Sequence, residues 1–162
     1  MNSNAEQDSQ PPHGEAQATV LFLCTHNSAR SQLAEATLRH LGGDRVRAYS
    51  AGSQPGRVHP EAISTLKCLG ISTEGLTSKH LKEFLGQDFD YIVTVCDQAR
   101  EACPVFPGEP AQLHWSYPDP SSIRDETERR ETFRRIANDL IERNAGLLAE
   151  IESHRQNRYP GT

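Results

Sequence analysis

Residues Val20 to Ser31 read VLFLCTHNSARS, and they constrain the fold more than any other stretch of the chain. A short apolar run with polar ends is a buried strand. This one ends at Cys24, and a helical pattern starts at Ala29, so one tight loop joins strand to helix. A chain that passes directly from a buried strand into a helix builds α/β units. The loop between them is suited to an oxyanion. Its backbone N–H groups converge on one point, and the helix N-terminus adds positive potential. Arg30, in C-x5-R spacing from Cys24, can hold two oxygens of a tetrahedral anion. A thiol in that field is a nucleophile towards the anion's central atom. Without its context C-x5-R says little, and the bland reading is a small buried hydrophobe and a solvated arginine. The flanking strand and helix, with Ser31 directly after the arginine, favour the site.

The remaining elements follow from periodicity. Thr19 to Leu23 is the first strand, and Ala29 to Leu41 a helix with Leu33, Ala34, Thr37, Leu38 and Leu41 inside. Gly42-Gly43 stops that helix. Arg45 to Ser50 alternates like a half-exposed edge strand. Pro60 opens a helix to about Leu69, and a short helix fits Ser78 to Leu85. Tyr91 to Val95 (YIVTV) is continuously apolar, as in the middle of a parallel sheet. A polar loop or irregular helix follows, then a weak strand at Ala111 to His114. Glu126 to about Ser153 is a long helix whose apolar residues run from Phe133 to Ile151 at helical spacing. Strands alternating with helices predict a single-domain α/β fold: a four-stranded parallel sheet flanked by helices. Sites in such sheets form at the C-terminal ends of strands. Cys24 and Cys96 each directly follow a strand, so they should meet at one edge.

With 162 residues the chain has enough length for one ordinary core. Residues 1–17 carry Pro11-Pro12 and no apolar period, which reads as a tail before a domain at 18–155, with a second tail at 156–162. The first residues have no basic and no apolar region, so they do not read as a secretory signal. No apolar run approaches the roughly 20 residues of a membrane span. A cytoplasmic location is expected, where thiols stay reduced unless catalysis oxidises them. The net charge of −5 argues against nucleic acid and anionic membranes as partners. An acidic protein that binds an anion must use local geometry.

Cys96 and Cys103 stand seven residues apart in CDQAREAC. Two unrelated buried thiols, a zinc pair and a redox pair are the open readings. The spacing is wide for a zinc knuckle and no matching pair follows, so no metal is expected. For a redox pair, seven helical residues separate Cα atoms by about 10 Å, whereas a disulfide needs about 4.4–6.8 Å. A helix there would have to unwind, and Pro104, Pro107, Gly108 and Pro110 make the region easy to rearrange. Asp119-Pro120, after His114-Trp115, offers a carboxylic acid that could protonate a departing oxygen, although Asp-Pro alone is a common turn. Cys68, in the run LKCLGI, reads as a core residue. His26, His59, His80 and His114 lack ligand spacing and read as structural or surface residues.

LFLCTHNSARSQLAEA, the IVTVC-x6-CP segment and HW-x3-DP together resemble the thioredoxin-coupled arsenate reductases built on the low-molecular-weight tyrosine phosphatase fold. The resemblance spans roughly residues 19–150 with the motifs in order. It implies arsenate as substrate, no bound cofactor, and electrons from reduced thioredoxin, with glutaredoxin as the alternative. It implies Cys24 as nucleophile and Arg30 as oxyanion binder within the loop Thr25, His26, Asn27, Ser28, Ala29, Arg30 and Ser31. Ser31 would stabilise the Cys24 thiolate, Asn27 would shape the loop, and Asp119 would be the general acid. Cys96 would attack the Cys24–arsenic adduct, leaving a Cys24–Cys96 disulfide, and Cys103 would move it to Cys96–Cys103 for thioredoxin.

Two departures stand out. Ala29 replaces a cysteine that many relatives carry before the arginine. Lys79 stands where potassium-binding relatives have an aspartate. The other members of that cation site would be Asn27, Ser50 and Glu35, so the Lys79 ammonium is expected to occupy it. Two competing functions share part of the pattern. A tyrosine phosphatase would use Cys24, Arg30 and Asp119 and need neither Cys96 nor Cys103. Such enzymes usually read RSP, where Gln32 follows Ser31 here, so only weak phosphatase activity is expected. A redox-sensing, anion-binding module would use the thiol pair but have no need of Asp119.

Overall fold

The computed structural model describes residues 16–158. Most of the expected N-terminal tail lies outside them. The strands are β1 (Ala18–Cys24), β2 (Val46–Gly52), β3 (Tyr91–Thr94) and β4 (Ala111–His114). The α-helices are α1 (Arg30–Gly42), α2 (Pro60–Cys68), α3 (Asp97–Glu101) and α4 (Glu126–Arg158). All pairings are parallel, in the order β2-β1-β3-β4, as expected from the alternation of elements.

That order creates the site. From β1 the chain crosses through α1 to β2 on one side, then returns past β1 to β3 on the other. The order therefore reverses at the C-terminal ends of β1 and β3, which is where open parallel sheets bind ligands. Cys24 ends β1 and Cys96 follows β3, so both thiols reach this crevice.

Alternation along β1 splits the core into two layers. Val20 and Phe22 face α1 and α4 and pack with Leu33, Leu38, Phe133 and Leu140. Leu21 and Leu23 face the other way, with Phe84, Phe89, Ile92 and Phe106. This second layer is closed by rings on loops, including the Phe89–Phe106 pair at 5.9 Å, and not by a long helix. The short helix expected at Ser78 to Leu85 is a 3-10 turn, Leu81–Phe84, that brings Phe84 there.

Three expectations change. Cys68 is exposed, not a core residue. It follows the buried Leu66 by two positions on α2, which is about 200° around the helix axis. Helix α1 is buried continuously from Ser31 to Leu38 and not along one stripe, because β2, α4 and the segment around Thr77 all press on it. Helix α4 extends through Arg158, so residues 156–158 continue it. Its inner stripe includes buried Asn144, which donates to Thr37 Oγ1 at 2.8 Å.

Candidate active site

The loop from Cys24 to Arg30 turns over the end of β1 with Asn27 in the left-handed region, φ 49°. Asn tolerates that conformation better than most residues. Gly52, paired with Cys24 in the β1–β2 register, underlies the loop. A Cβ on it would lie 2.8 Å from Cys24 O and 2.9 Å from Asn27 N. Only glycine lets the two backbones approach this closely.

A directed chain of hydrogen bonds leads inward from the sulfur. Cys24 Sγ lies 2.9 Å from Ser31 Oγ. Asn27 Nδ2 donates to Ser31 Oγ at 2.7 Å and to Ser50 Oγ at 2.9 Å. Ser50 Oγ donates to Glu35 Oε1 at 2.5 Å. Asn27 Oδ1 accepts from the Lys79 backbone N–H at 2.7 Å, so the amide orientation is determined by its partners. Because Asn27 occupies the acceptor side of Ser31, the Ser31 proton is free to point at Cys24 Sγ. Asn27, Ser31, Ser50 and Glu35 are all buried.

Glu35, 1% exposed, ends this chain with two cationic partners. Arg39 pairs with it one turn later on α1. Lys79 Nζ lies 3.8 Å from Glu35 Oε1 and donates to Thr77 O at 2.6 Å. Burial lowers the Lys79 pKa, and Glu35 opposes that shift. The four residues expected around a cation, Asn27, Glu35, Ser50 and Lys79, are thus linked, with the ammonium beside Glu35 and the Lys79 backbone on Asn27. Gln32 adds a tie that the proline of an RSP sequence could not make. Its Nε2 donates to Asn27 O at 2.9 Å and Thr77 O at 2.8 Å.

On the open side, Arg30 Nη1 donates to Tyr117 O at 2.9 Å, and Nη2 lies 3.9 Å from Asp119 Oδ2. Asp119 Oδ1 accepts from the backbone N–H and hydroxyl of Ser121. Asp119 is therefore held at the crevice with one oxygen turned towards the arginine.

The second and third thiols bracket α3. Cys96 is buried at its N-cap, with Sγ 3.4 Å from Thr25 Oγ1. Thr25 gives its one proton to Gln98 Oε1 at 3.0 Å, which makes the Cys96 thiol the donor to Thr25. Cys103, beyond the helix end, shares a cavity of about 20 Å³ with Cys24, Leu23, Ala99 and Ala102. Burial pushes the Cys103 thiol pKa up. The four cysteines are free thiols. His114, read as structural or surface, is engaged with Asp97. Its Nε2 lies 2.9 Å from Asp97 Oδ1, which also accepts from Ser116 Oγ, and these bonds lower the Asp97 pKa. Gly52, the double tie of Gln32 and the His114–Asp97 contact were not read from the sequence; the signals present were Gln32 in place of the proline after Ser31 and His114 in the HW pair.

Sheet, loop and thiols define an α/β protein with a cysteine and an arginine on the loop that joins its first strand to a helix. The chain belongs to the low molecular weight phosphotyrosine protein phosphatase family, whose pattern matches residues 19–157. Within that family it is similar to arsenate reductases. It is 35% identical to the arsenate reductase of Halalkalibacterium halodurans over 125 residues, which are 76% of this chain and 90% of that protein. It is 33% identical to that of Bacillus subtilis over 122 residues, 75% of this chain and 88% of the relative. Among solved structures, the thioredoxin-dependent arsenate reductase of Corynebacterium glutamicum is 29% identical with a TM-score of 0.66, covering 86% of this chain and 64% of that one. An arsenate reductase in the oxidized state is 30% identical with a TM-score of 0.72, covering 83% of this chain and 98% of that one.

Proposed function

We propose that this chain reduces arsenate to arsenite through a relay of Cys24, Cys96 and Cys103, and that thioredoxin regenerates it. The observation that carries the reading is the convergence of three thiols on one crevice: Cys24 in the oxyanion loop, Cys96 on Thr25, and Cys103 on the cavity beside Cys24. A phosphatase mechanism needs only the first.

Arg30 and the loop N–H groups hold arsenate, and Cys24 Sγ bonds to arsenic. One oxygen leaves as water with a proton from Asp119. Cys96 then attacks Cys24 Sγ. The sulfur–arsenic bond breaks, its electron pair stays on arsenic, and arsenite departs. The two electrons come from the pair of thiols, which end as a Cys24–Cys96 disulfide. Cys103 attacks Cys96 Sγ and frees Cys24, giving Cys96–Cys103. The dithiol of thioredoxin takes over that oxidation. Lys79 replaces a bound potassium ion beside Glu35, so the enzyme needs no added cation. Weak hydrolysis of aryl phosphates accompanies this activity, since phosphate shares the shape and charge of arsenate.

The test is NADPH oxidation by the purified protein with thioredoxin and thioredoxin reductase on addition of arsenate. Turnover should vanish in Cys24→Ser, Cys96→Ser and Cys103→Ser. Cys103→Ser should still release one equivalent of arsenite. Hydrolysis of aryl phosphate without arsenate-dependent NADPH consumption would make it a phosphatase instead. Activity only with glutaredoxin and glutathione would change the reductant.

A further inference from the structure

Pairing Cys96 with Cys103 has to dismantle α3. Cys96 caps the helix and Cys103 lies beyond its last residue, Glu101. A helical path between them is too long for a disulfide. A helix of five residues has little stability of its own, and none of these five is buried. Apart from the packing of Ala99 on the core, its polar side-chain attachments therefore decide how easily it unwinds. One is the Thr25–Gln98 bond from the oxyanion loop. The other is at the helix start, where Asp97 Oδ1 accepts from His114 Nε2 at 2.9 Å and from Ser116 Oγ at 3.1 Å.

His114 is held on both ring nitrogens. Its Nδ1 lies 2.7 Å from Thr94 Oγ1. Thr94 is the last residue of β3 and Asp97 the first of α3. One imidazole thus spans the corner formed by Val95 and Cys96, which carries the second thiol. The arsenate chemistry above uses neither His114 nor Asp97.

We propose that Thr94, His114 and Asp97 form a latch that keeps α3 helical and Cys96 directed at the oxyanion loop, and that opens when Cys96 pairs with Cys103. His114 and Asp97 are positioning residues, since neither touches substrate. The proposal rests on the thiol relay. A closed latch favours the dithiol, so breaking it makes the Cys96–Cys103 disulfide easier to form.

The experiment uses the full chain with Cys24→Ser and Cys68→Ser, which leaves one possible disulfide. The protein is equilibrated in glutathione redox buffers, alkylated and weighed by mass spectrometry. Each disulfide formed passes two electrons and two protons to oxidised glutathione. Asp97→Ala and His114→Ala should each raise the equilibrium constant for the disulfide about tenfold, a potential about 30 mV more negative. The double variant should shift by less than the sum of the two single ones, because both remove the His114–Asp97 bond. Asp97→Asn keeps an acceptor oxygen and should stay near the parent. Potentials of both alanine variants within twofold of the parent equilibrium constant would overturn the latch alone. A parent that forms no Cys96–Cys103 disulfide would overturn the relay, and the latch with it.

Discussion

Gly52→Ala tests whether the oxyanion loop depends on close approach between two backbones. The added methyl would sit 2.8 Å from Cys24 O and 2.9 Å from Asn27 N, and closer still to Thr25 O. Real Cβ atoms keep beyond 3.0 Å of such neighbours. All three atoms are backbone, so no side chain can rotate away. The loop must shift by about half an ångström. Overpacking of this kind costs about 1–3 kcal/mol, which for a domain of this size lowers the melting temperature by about 2–12 °C. A displacement of about 1 Å at a reacting group can cost 10²-fold in rate, so kcat/KM for arsenate should fall about tenfold or more. Gly56→Ala is the matched control. A Cβ there meets nothing within 4 Å, and its backbone needs no left-handed conformation. It should change neither stability nor rate. Thermal unfolding and the thioredoxin-coupled assay read both effects. A Gly52→Ala protein with wild-type melting temperature and kcat/KM would show that the loop does not depend on this close approach.

Asp119→Asn should slow arsenate-dependent turnover by about 10²–10⁴-fold, while leaving chemical oxidation of Cys96 and Cys103 unchanged; equal turnover would remove Asp119 from the mechanism. Lys79→Ala leaves buried Glu35 with Arg39 as its one remaining cationic partner among the described residues, so activity should fall and become potassium-dependent. The parent should be indifferent to replacing potassium by a larger inert cation at constant ionic strength, and loss of its activity would count against the Lys79 substitution. A raised thiol pKa means less thiolate at a given pH, so alkylation of Cys103 should rise at higher pH than that of a cysteine peptide. Coincident profiles would show that partial burial does not perturb Cys103.

Much of this fold is written locally. The apolar runs of β1 and β3 and the stripe of α4 need only nearest-neighbour periodicity to be recognised, since burial on one face repeats with the geometry of strand or helix. The Cys24–Arg30 loop is equally local, because its spacing and the elements on either side lie within a dozen residues. Cys68 misleads for the same reason. An apolar neighbourhood in sequence does not say which side of α2 faces the core.

What lay outside such reading depends on contacts between distant segments. Pattern alone leaves Glu35 a charged residue in a helix; the family resemblance names its site partners, but only β2 and the Lys79 segment, meeting over α1, bury it among them. Gly52 looks like a loop glycine until the β1–β2 register sets it beneath Cys24. His114 gains a role because β3 and β4 pair in register, Thr94 beside His114, with α3 starting just above. The elements, the candidate thiol and its arginine are legible in the chain alone, because they follow from short-range pattern and side-chain chemistry. How the buried polar groups connect behind them is set by folding, because hydrogen bonds across 15 to 52 residues exist only once the sheet is assembled.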